Sequence, residues 1–218
     1  MMAQYQRARS AEAKQERADA LVQAARDLAL QSGVRGVTLT GIAERVGLHH
    51  SAIRRYFTSH NEVLLRLAAQ GWRGWANRVD GALTAHERPG PARIAAVLVE
   101  TLAEDPLLCD LLANAPTRIE QDVDIDFIRE FKREGMTAAR RIAAAVARSE
   151  PRLTSEAAWD VLTATNCLAA IRWQVSHPPA ALAQVYADEP DLAHFATDFV
   201  PDTKRLVEAT IRGLINDD

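Results

Sequence analysis

Gly36-Val37-Thr38-Leu39-Thr40-Gly41-Ile42-Ala43-Glu44-Arg45-Val46-Gly47-Leu48, continued by His49-His50-Ser51-Ala52-Ile53-Arg54-Arg55-Tyr56-Phe57, holds two short apolar patterns on either side of a glycine. Leu39, Ile42, Ala43 and Val46 recur at spacings of three and four, which places them on one face of a short helix. Thr38 stands where a hydroxyl caps that helix, and Gly36 marks the turn before it. Gly47 predicts its end. A third short helix is expected over residues 50–56, with Leu48, Ile53 and Phe57 as its apolar contacts. Upstream, residues 10–32 read as a long helix that buries Leu21, Ala25, Leu28 and Ala29. Gly33-Val34 reads as its Schellman stop, with the glycine in the left-handed conformation.

Two short helices joined by a glycine turn and packed on a third helix have the geometry of a helix-turn-helix, whose second helix is narrow enough to enter the major groove of DNA. Residues 49–56 carry His49, His50, Ser51, Arg54, Arg55 and Tyr56, a dense set of groups that donate hydrogen bonds to phosphates or bases. On spacing alone an ordinary helical corner fits the same pattern, although Glu and Lys are commoner on its solvent side. Charge is divided along the chain in a way that its total of −3 conceals. Residues 1–66 hold ten basic against six acidic side chains, and the remainder holds 16 against 23. A basic segment ahead of an acidic body points to a polyanion such as DNA as the partner of the N-terminal part alone, although solvated helices carry similar charge runs.

The rest of the chain has apolar residues at helical spacing and almost no strand-length alternation, so the fold class is all-α. Ser59-His60-Asn61-Glu62 has capping-box spacing and opens a fourth helix that runs through Leu64, Trp72 and Val79 to about Leu83. His86-Glu87-Arg88-Pro89-Gly90-Pro91 ends it. Further helices are expected at 91–104, 106–114, 120–148, 155–176 and 201–215, punctuated by prolines, with 177–200 unassigned. The expected domains are a DNA-binding unit over 1–60 and a larger helical regulatory and dimerisation unit over 61–218.

Composition excludes several function classes. A chain of 218 residues that is 48% hydrophobic and 25% charged is globular. Its two cysteines, Cys109 and Cys167, lack the spacing of a disulfide scaffold or a structural zinc site, so a reducing, cytoplasmic home is expected. No segment approaches the roughly 20 apolar residues of a membrane span, and no signal peptide or membrane partner is expected. There is no Ser/His/Asp grouping, no phosphate loop and no metal cluster. Asp191-Leu192-Ala193-His194 is a lone carboxylate and imidazole pair. The expectation is therefore no catalytic residue, no cofactor and no metal, and not an enzyme.

The run from Gly36 to Leu48, with Ile53, Phe57, Ser59, Glu62 and Leu64, resembles the DNA-binding signature of the TetR family of bacterial repressors. The resemblance implies that Thr38 caps the second helix and that Thr40 contacts DNA. It places His50, Ser51 and Arg54 on the groove-facing side, Tyr56 at the duplex backbone and His60 at a phosphate. Arg55, with Arg7, Arg9, Lys14 and Arg54, is expected to add a salt-dependent phosphate contribution. Four positions depart from the family pattern. Arg54 replaces the usual Tyr and has the geometry to grip guanine O6 and N7. His49 replaces a Ser or Thr cap and needs a neutral imidazole nitrogen to accept. His60 replaces a Lys, which ties that contact to histidine protonation. Gly41 inside a short helix costs roughly 1 kcal/mol relative to Ala.

The resemblance further implies a homodimer, with Leu162, Ile171, Leu206, Ile211 and Leu214 on the two helices that pair with their copies; monomer core is the competing reading of these faces. Trp72, Cys109, Phe127, Phe131, Asn166 and Trp173 are candidates to line a cavity for an unidentified small-molecule effector, together with Trp75, Leu112, Met136 and Cys167. Large apolar residues at helical spacing serve equally as plain core. Asn166 is the distinctive one, because an unpaired amide among apolar neighbours costs free energy. The expected function is a repressor of double-stranded DNA released from a near-palindromic operator by that effector. The alternatives are a ligand-independent DNA-binding or interaction dimer and, third, an all-helical enzyme.

Overall fold

The computed structural model describes residues 2–85, 88–193 and 198–215, with side chains from Glu12 onward. Among the described residues there is no strand. The helices are α1 (Met2–Ser32), α2 (Leu39–Arg45), α3 (His60–Thr84), α4 (Gly90–Ala103), α5 (Pro106–Asn114), α6 (Ile125–Ser149), α7 (Ser155–Ser176), α8 (Ala180–Asp188) and α9 (Phe199–Leu214). The chain is all-α, with an N-terminal helix-turn-helix unit followed by a helical body. The side chains of Arg7 and Arg9, and His86, Glu87 and His194, lie outside the described residues.

The N-terminal unit forms where the sequence places its stops. Thr38 caps α2, its Oγ1 accepting from Gly41 N–H at 3.1 Å. A Cβ at Gly41 would sit 3.3 Å from Thr38 Oγ1 and 3.6 Å from Leu28 Cδ1. Ser59 and Thr154 nevertheless cap their helices in the same way against Glu62 and Ala157, so the structure does not explain the glycine. The Schellman motif lies at the end of α2 rather than of α1. Gly47 (φ 67°) takes the left-handed conformation, Leu48 N–H donates to Ala43 O (2.8 Å) and Gly47 N–H to Glu44 O (3.1 Å). Gly33, at φ 74° and ψ 164°, is extended in a region only glycine enters, and it opens a 3-10 turn over Val34–Gly36.

The expected third helix over 50–56 is replaced by overlapping turns that end in a 3-10 helix, Ile53–Arg55. Ala52 N–H donates to His49 O (2.8 Å), Arg55 N–H to Ala52 O (3.2 Å) and Tyr56 N–H to Ile53 O (2.9 Å), all at i to i−3 spacing. Its two apolar anchors, Ile53 and Phe57, are fully buried, which pins the segment to the unit and directs the intervening residues outward. Truncating such an anchor costs about 3–5 kcal/mol for a Phe.

Two apolar cores meet along α3. The first joins Leu21, Ala25, Ile42, Ile53, Phe57 and Leu65 to Leu107, Leu111, Ile119 and Phe131 of the body. The second surrounds Trp75, Leu98, Leu108, Ile142, Val161 and Ile211. The early turns of α3 belong to one core and the later turns to the other, so this helix is shared by the N-terminal unit and the body. Its start is fixed by Ser59, whose Oγ accepts from Glu62 N–H (3.3 Å), while the return bond expected of a capping box is shifted by one residue: the buried Glu62 carboxylate accepts from Thr58 N–H (2.7 Å) instead of Ser59 N–H.

In the body α6 lies along α3, and α9 packs on α4 and α7. The helix expected over 120–148 begins at Ile125, where Asp124 caps it by accepting from Asp126 N–H at 2.9 Å. Ahead of it, Ala115–Ile119 is a π-helical turn. Pro116 has no N–H to continue α5, and the ladder slips to Glu120 N–H donating to Ala115 O at 3.1 Å. The unassigned 177–200 region contains α8 and a 3-10 turn, Pro190–Leu192. Among the described residues, no helix is long and apolar enough to cross a membrane.

Candidate nucleic-acid interface and ligand groove

Thr38, Thr40, His49, His50, Ser51, Arg54, Arg55 and His60 are exposed, and Tyr56 is half-buried against the N-terminal core. The charge count of the sequence becomes sharper in three dimensions. Arg26 pairs with Asp105 (3.5 Å) and Arg45 with Asp27 (3.7 Å), so both cations are neutralised within the protein. The Arg66 guanidinium lies 5.7 Å from the ring centres of both Phe57 and Phe127. Arg54 and Arg55 have no carboxylate partner among the described residues, and they project from a segment held by buried anchors. Unneutralised cations on a rigid surface favour a phosphate backbone.

His49 stands at the start of the exposed segment 49–56. Its Nδ1 accepts from Ser51 N–H (3.4 Å) and lies 2.8 Å from Ser51 Oγ, which is the capping geometry that a neutral imidazole permits. The His49 and His50 rings are 4.2 Å apart. These contacts fix two imidazoles and a hydroxyl directly ahead of Arg54.

The six effector candidates are distributed among different places. Trp72, Phe131 and Asn166 converge on a groove of about 340 Å³ between α3, the π-helical turn, α6 and α7, where Leu112, Met136 and Cys167 join them. Phe127 lies instead in a smaller, charged recess with Arg66, Arg73 and Glu130. Trp173 lies in a cleft of about 490 Å³ between α1, α5 and α7, stacked on His177 with ring centres 3.8 Å apart. Cys109 lines none of these cavities. It is 0% exposed in the core of the body, and burial pushes its thiol up to about 12. Trp75 is also core, its Nε1–H donating to Leu98 O at 3.2 Å. Sequence reasoning missed Pro116, Glu120 and Lys132 at the groove, although Pro116 inside a helical pattern signals a break there.

Of the five residues expected at a dimer interface, two belong to the chain's own core. Leu162 and Ile211 are buried in the second core, because they fall on the inward stripes of α7 and α9. Ile171 is 67% exposed, and Leu206 and Leu214 are half-buried on α9.

Polar links join the DNA-binding unit to this body. Val34 N–H donates to Asp110 Oδ2 (2.8 Å), while Asp110 Oδ1 accepts from Asn114 (3.0 Å) and from Gln174 of α7 (3.1 Å). At the other end, Asn61 Nδ2 in the first turn of α3 donates to Gln121 O (2.9 Å), just past the π-helical turn.

No curated protein sequence matches the chain significantly. Among solved structures, that of a fatty acid degradation regulator, FadR, from Bacillus halodurans superposes with a TM-score of 0.54 at 12% identity, covering 91% of this chain and 94% of that one. Such a likeness shows a shared fold. Residues 21–67 match the family described as bacterial regulatory proteins, tetR family, and residues 69–217 match the tetracyclin repressor-like C-terminal domain. The two matched regions meet within α3, where the two cores also meet, and the chain belongs to the TetR family of DNA-binding transcriptional regulators.

Proposed function

We propose that the protein is a homodimeric repressor that reads a near-palindromic operator through residues 49–56 and is released by a small molecule held in the body. The observation that carries the reading is the pair Arg54 and Arg55, exposed and without a carboxylate partner among the described residues, on a segment anchored by buried Ile53 and Phe57. One such segment contacts few bases. Two-fold symmetry doubles the site when the reading segments lie about 34–36 Å apart on successive major grooves. The exposure of Ile171 on α7, with Leu206 and Leu214 only half-buried on α9, supports these two helices as the pairing surface.

The groove at Trp72 and Asn166 supports ligand control over the ligand-independent alternative. An effector changes DNA affinity only if it prefers one arrangement of the reading segments over the other. The groove adjoins the π-helical turn, and that turn grips α3 through Asn61, so a ligand that displaces the turn has a direct mechanical route to the reading segment. The test is selection of bound duplexes from a random pool, followed by a compound screen for release of the selected duplex. Enrichment of a two-fold-related motif with a releasing compound is the expected result. A motif without dyad symmetry contradicts the dimeric reading.

A further inference from the structure

DNA affinity need not come from the N-terminal unit alone, because part of the body is bound to the first turn of α3. Resting on the proposed reading of a duplex, we infer that the π-helical turn of the body also meets the DNA backbone, where Arg118 pairs with a phosphate next to the one contacted by His60.

Asn61 follows His60 in the first turn of α3, and its Nδ2 donates to Gln121 O (2.9 Å) and to Arg118 O (3.4 Å). The body's turn is thereby held one residue away from the imidazole that the family resemblance assigns to a phosphate. Glu120 N–H donates to Ala115 O (3.1 Å) and closes the turn around Arg118, so the backbone that carries its side chain is fixed before DNA arrives. Single π-helical turns are rare and frequently mark functional sites. Arg118 is exposed and has no carboxylate partner among the described residues.

The neighbouring charges make a cation here necessary. Glu120 pairs with Lys132 (2.6 Å), Asp126 pairs with Arg129, and Asp124 caps α6. Asp122 is exposed and pairs with no cation among the described residues, so it opposes a phosphate at this turn. Beyond residue 66 the chain carries 16 basic against 23 acidic side chains. A guanidinium at the edge nearest the duplex offsets that repulsion locally. Arg133 and Arg140 also lack carboxylate partners among the described residues, but they lie too far along the body. Arg133 lines a groove with Arg73, and Arg141, next to Arg140, donates to Asn77 Oδ1 at 2.9 Å. Arg73 and Asn77 stand about 20 and 25 Å from His60 along α3, at 1.5 Å per residue.

The experiment titrates the selected duplex with full-length wild type, Arg118→Ala, Arg118→Lys and Asp122→Asn across a salt series. Arg118→Ala should weaken binding roughly tenfold and make log K fall less steeply with log salt, by about one for each half-site. Preference for the selected duplex over a random one should not change, since a phosphate carries no base information. Arg118→Lys should keep the wild-type slope, and Asp122→Asn should bind more tightly than wild type. The side chain of Arg118 is exposed, so the melting temperature of Arg118→Ala should match the wild type. An uncharged methylphosphonate moved along each strand then locates the contact: one position per half-site should cost the wild type affinity and leave Arg118→Ala unaffected. Unchanged affinity and slope in Arg118→Ala, a loss accompanied by altered sequence preference, or equal methylphosphonate costs for the two proteins at every position would each overturn the inference. A silent Arg118 in a protein whose Arg54→Ala variant has lost affinity removes this contact and leaves the proposed function standing. A wild type that binds no duplex overturns both.

Discussion

Val34, at the turn that closes the first helix of the DNA-binding unit, donates its backbone N–H to the carboxylate of Asp110 in the body, 76 residues further along the chain. The same carboxylate accepts from Gln174 on α7, so one side chain ties three segments together. Half-buried groups in such a junction are costly to leave unpaired, at about 1–3 kcal/mol for a donor or acceptor deprived of its partner.

Asp110→Ala is therefore expected to lower the unfolding temperature by several degrees, given about 2–4 °C per kcal/mol for a chain of this size. Asp110→Asn keeps one carbonyl oxygen at the junction and should lose less. Calorimetric melting of the three proteins orders them; equal melting temperatures for wild type and Asp110→Ala would show that the junction contributes nothing to stability.

The exposed face of α7 predicts the assembly. Ile171→Glu introduces a charge where an apolar partner surface is proposed, and sedimentation should show a monomer where the wild type is a dimer. Cys167 lies one turn earlier on the same exposed side, so its alkylation should accelerate in the separated chains. Cys109, buried and with its thiol pushed up to about 12, should label only after unfolding in either protein. An Ile171→Glu variant that remains dimeric would move the interface elsewhere.

Glu150 ends α6 with its carboxylate buried and held by Arg152, whose Nε donates to Oε1 at 2.9 Å and Nη2 to Oε2 at 3.0 Å. The Arg152 hydrogen bonds hold Glu150 below the usual carboxylate value of 4.5. A depressed value stabilises the fold above the unfolded-state value, and the gain is lost as pH falls through the folded-state value. Glu150→Gln should thus melt earlier than the wild type at pH 7, and the gap should close on acidification. A gap that widens in acid would reverse the sign and contradict the pairing.

Much of the fold was legible because its boundaries are chemical. Asp105-Pro106 and Thr154-Ser155 combine a capping oxygen with a good first helical residue, and α5 and α7 span 106–114 and 155–176 as expected. α8 was not legible although Leu182, Val185 and Tyr186 stand at helical spacing, because it is only nine residues long between the Pro178-Pro179 pair and Pro190, and the chain buries none of its side chains. Residues 49–56 carry no breaker that would distinguish a 3-10 turn from a full helix, and the His49 and Ser51 contacts there depend on a local side-chain geometry that periodicity does not record. The exposed cations could be named from sequence, but which were neutralised could not, since Arg26 finds its carboxylate in the body. Asn166 stood out as a polar residue on an apolar helix. That Cys109, Phe127 and Trp173 would not join it depends on how α5, α6 and α7 pack, which no single helical stripe records.

The proposed function depends on residues 49–56 offering free cations to a duplex, and titration of the selected duplex with wild type and Arg54→Ala across a salt series tests that most directly. A guanidinium gripping a base or phosphate is worth about 1–3 kcal/mol, so Arg54→Ala should weaken binding by roughly tenfold or more, with dimer stability unchanged. If Arg54 contacts a phosphate, the salt slope should also become shallower. Equal affinity and equal slope for the two proteins, or no duplex bound by the wild type even at low salt, would contradict it.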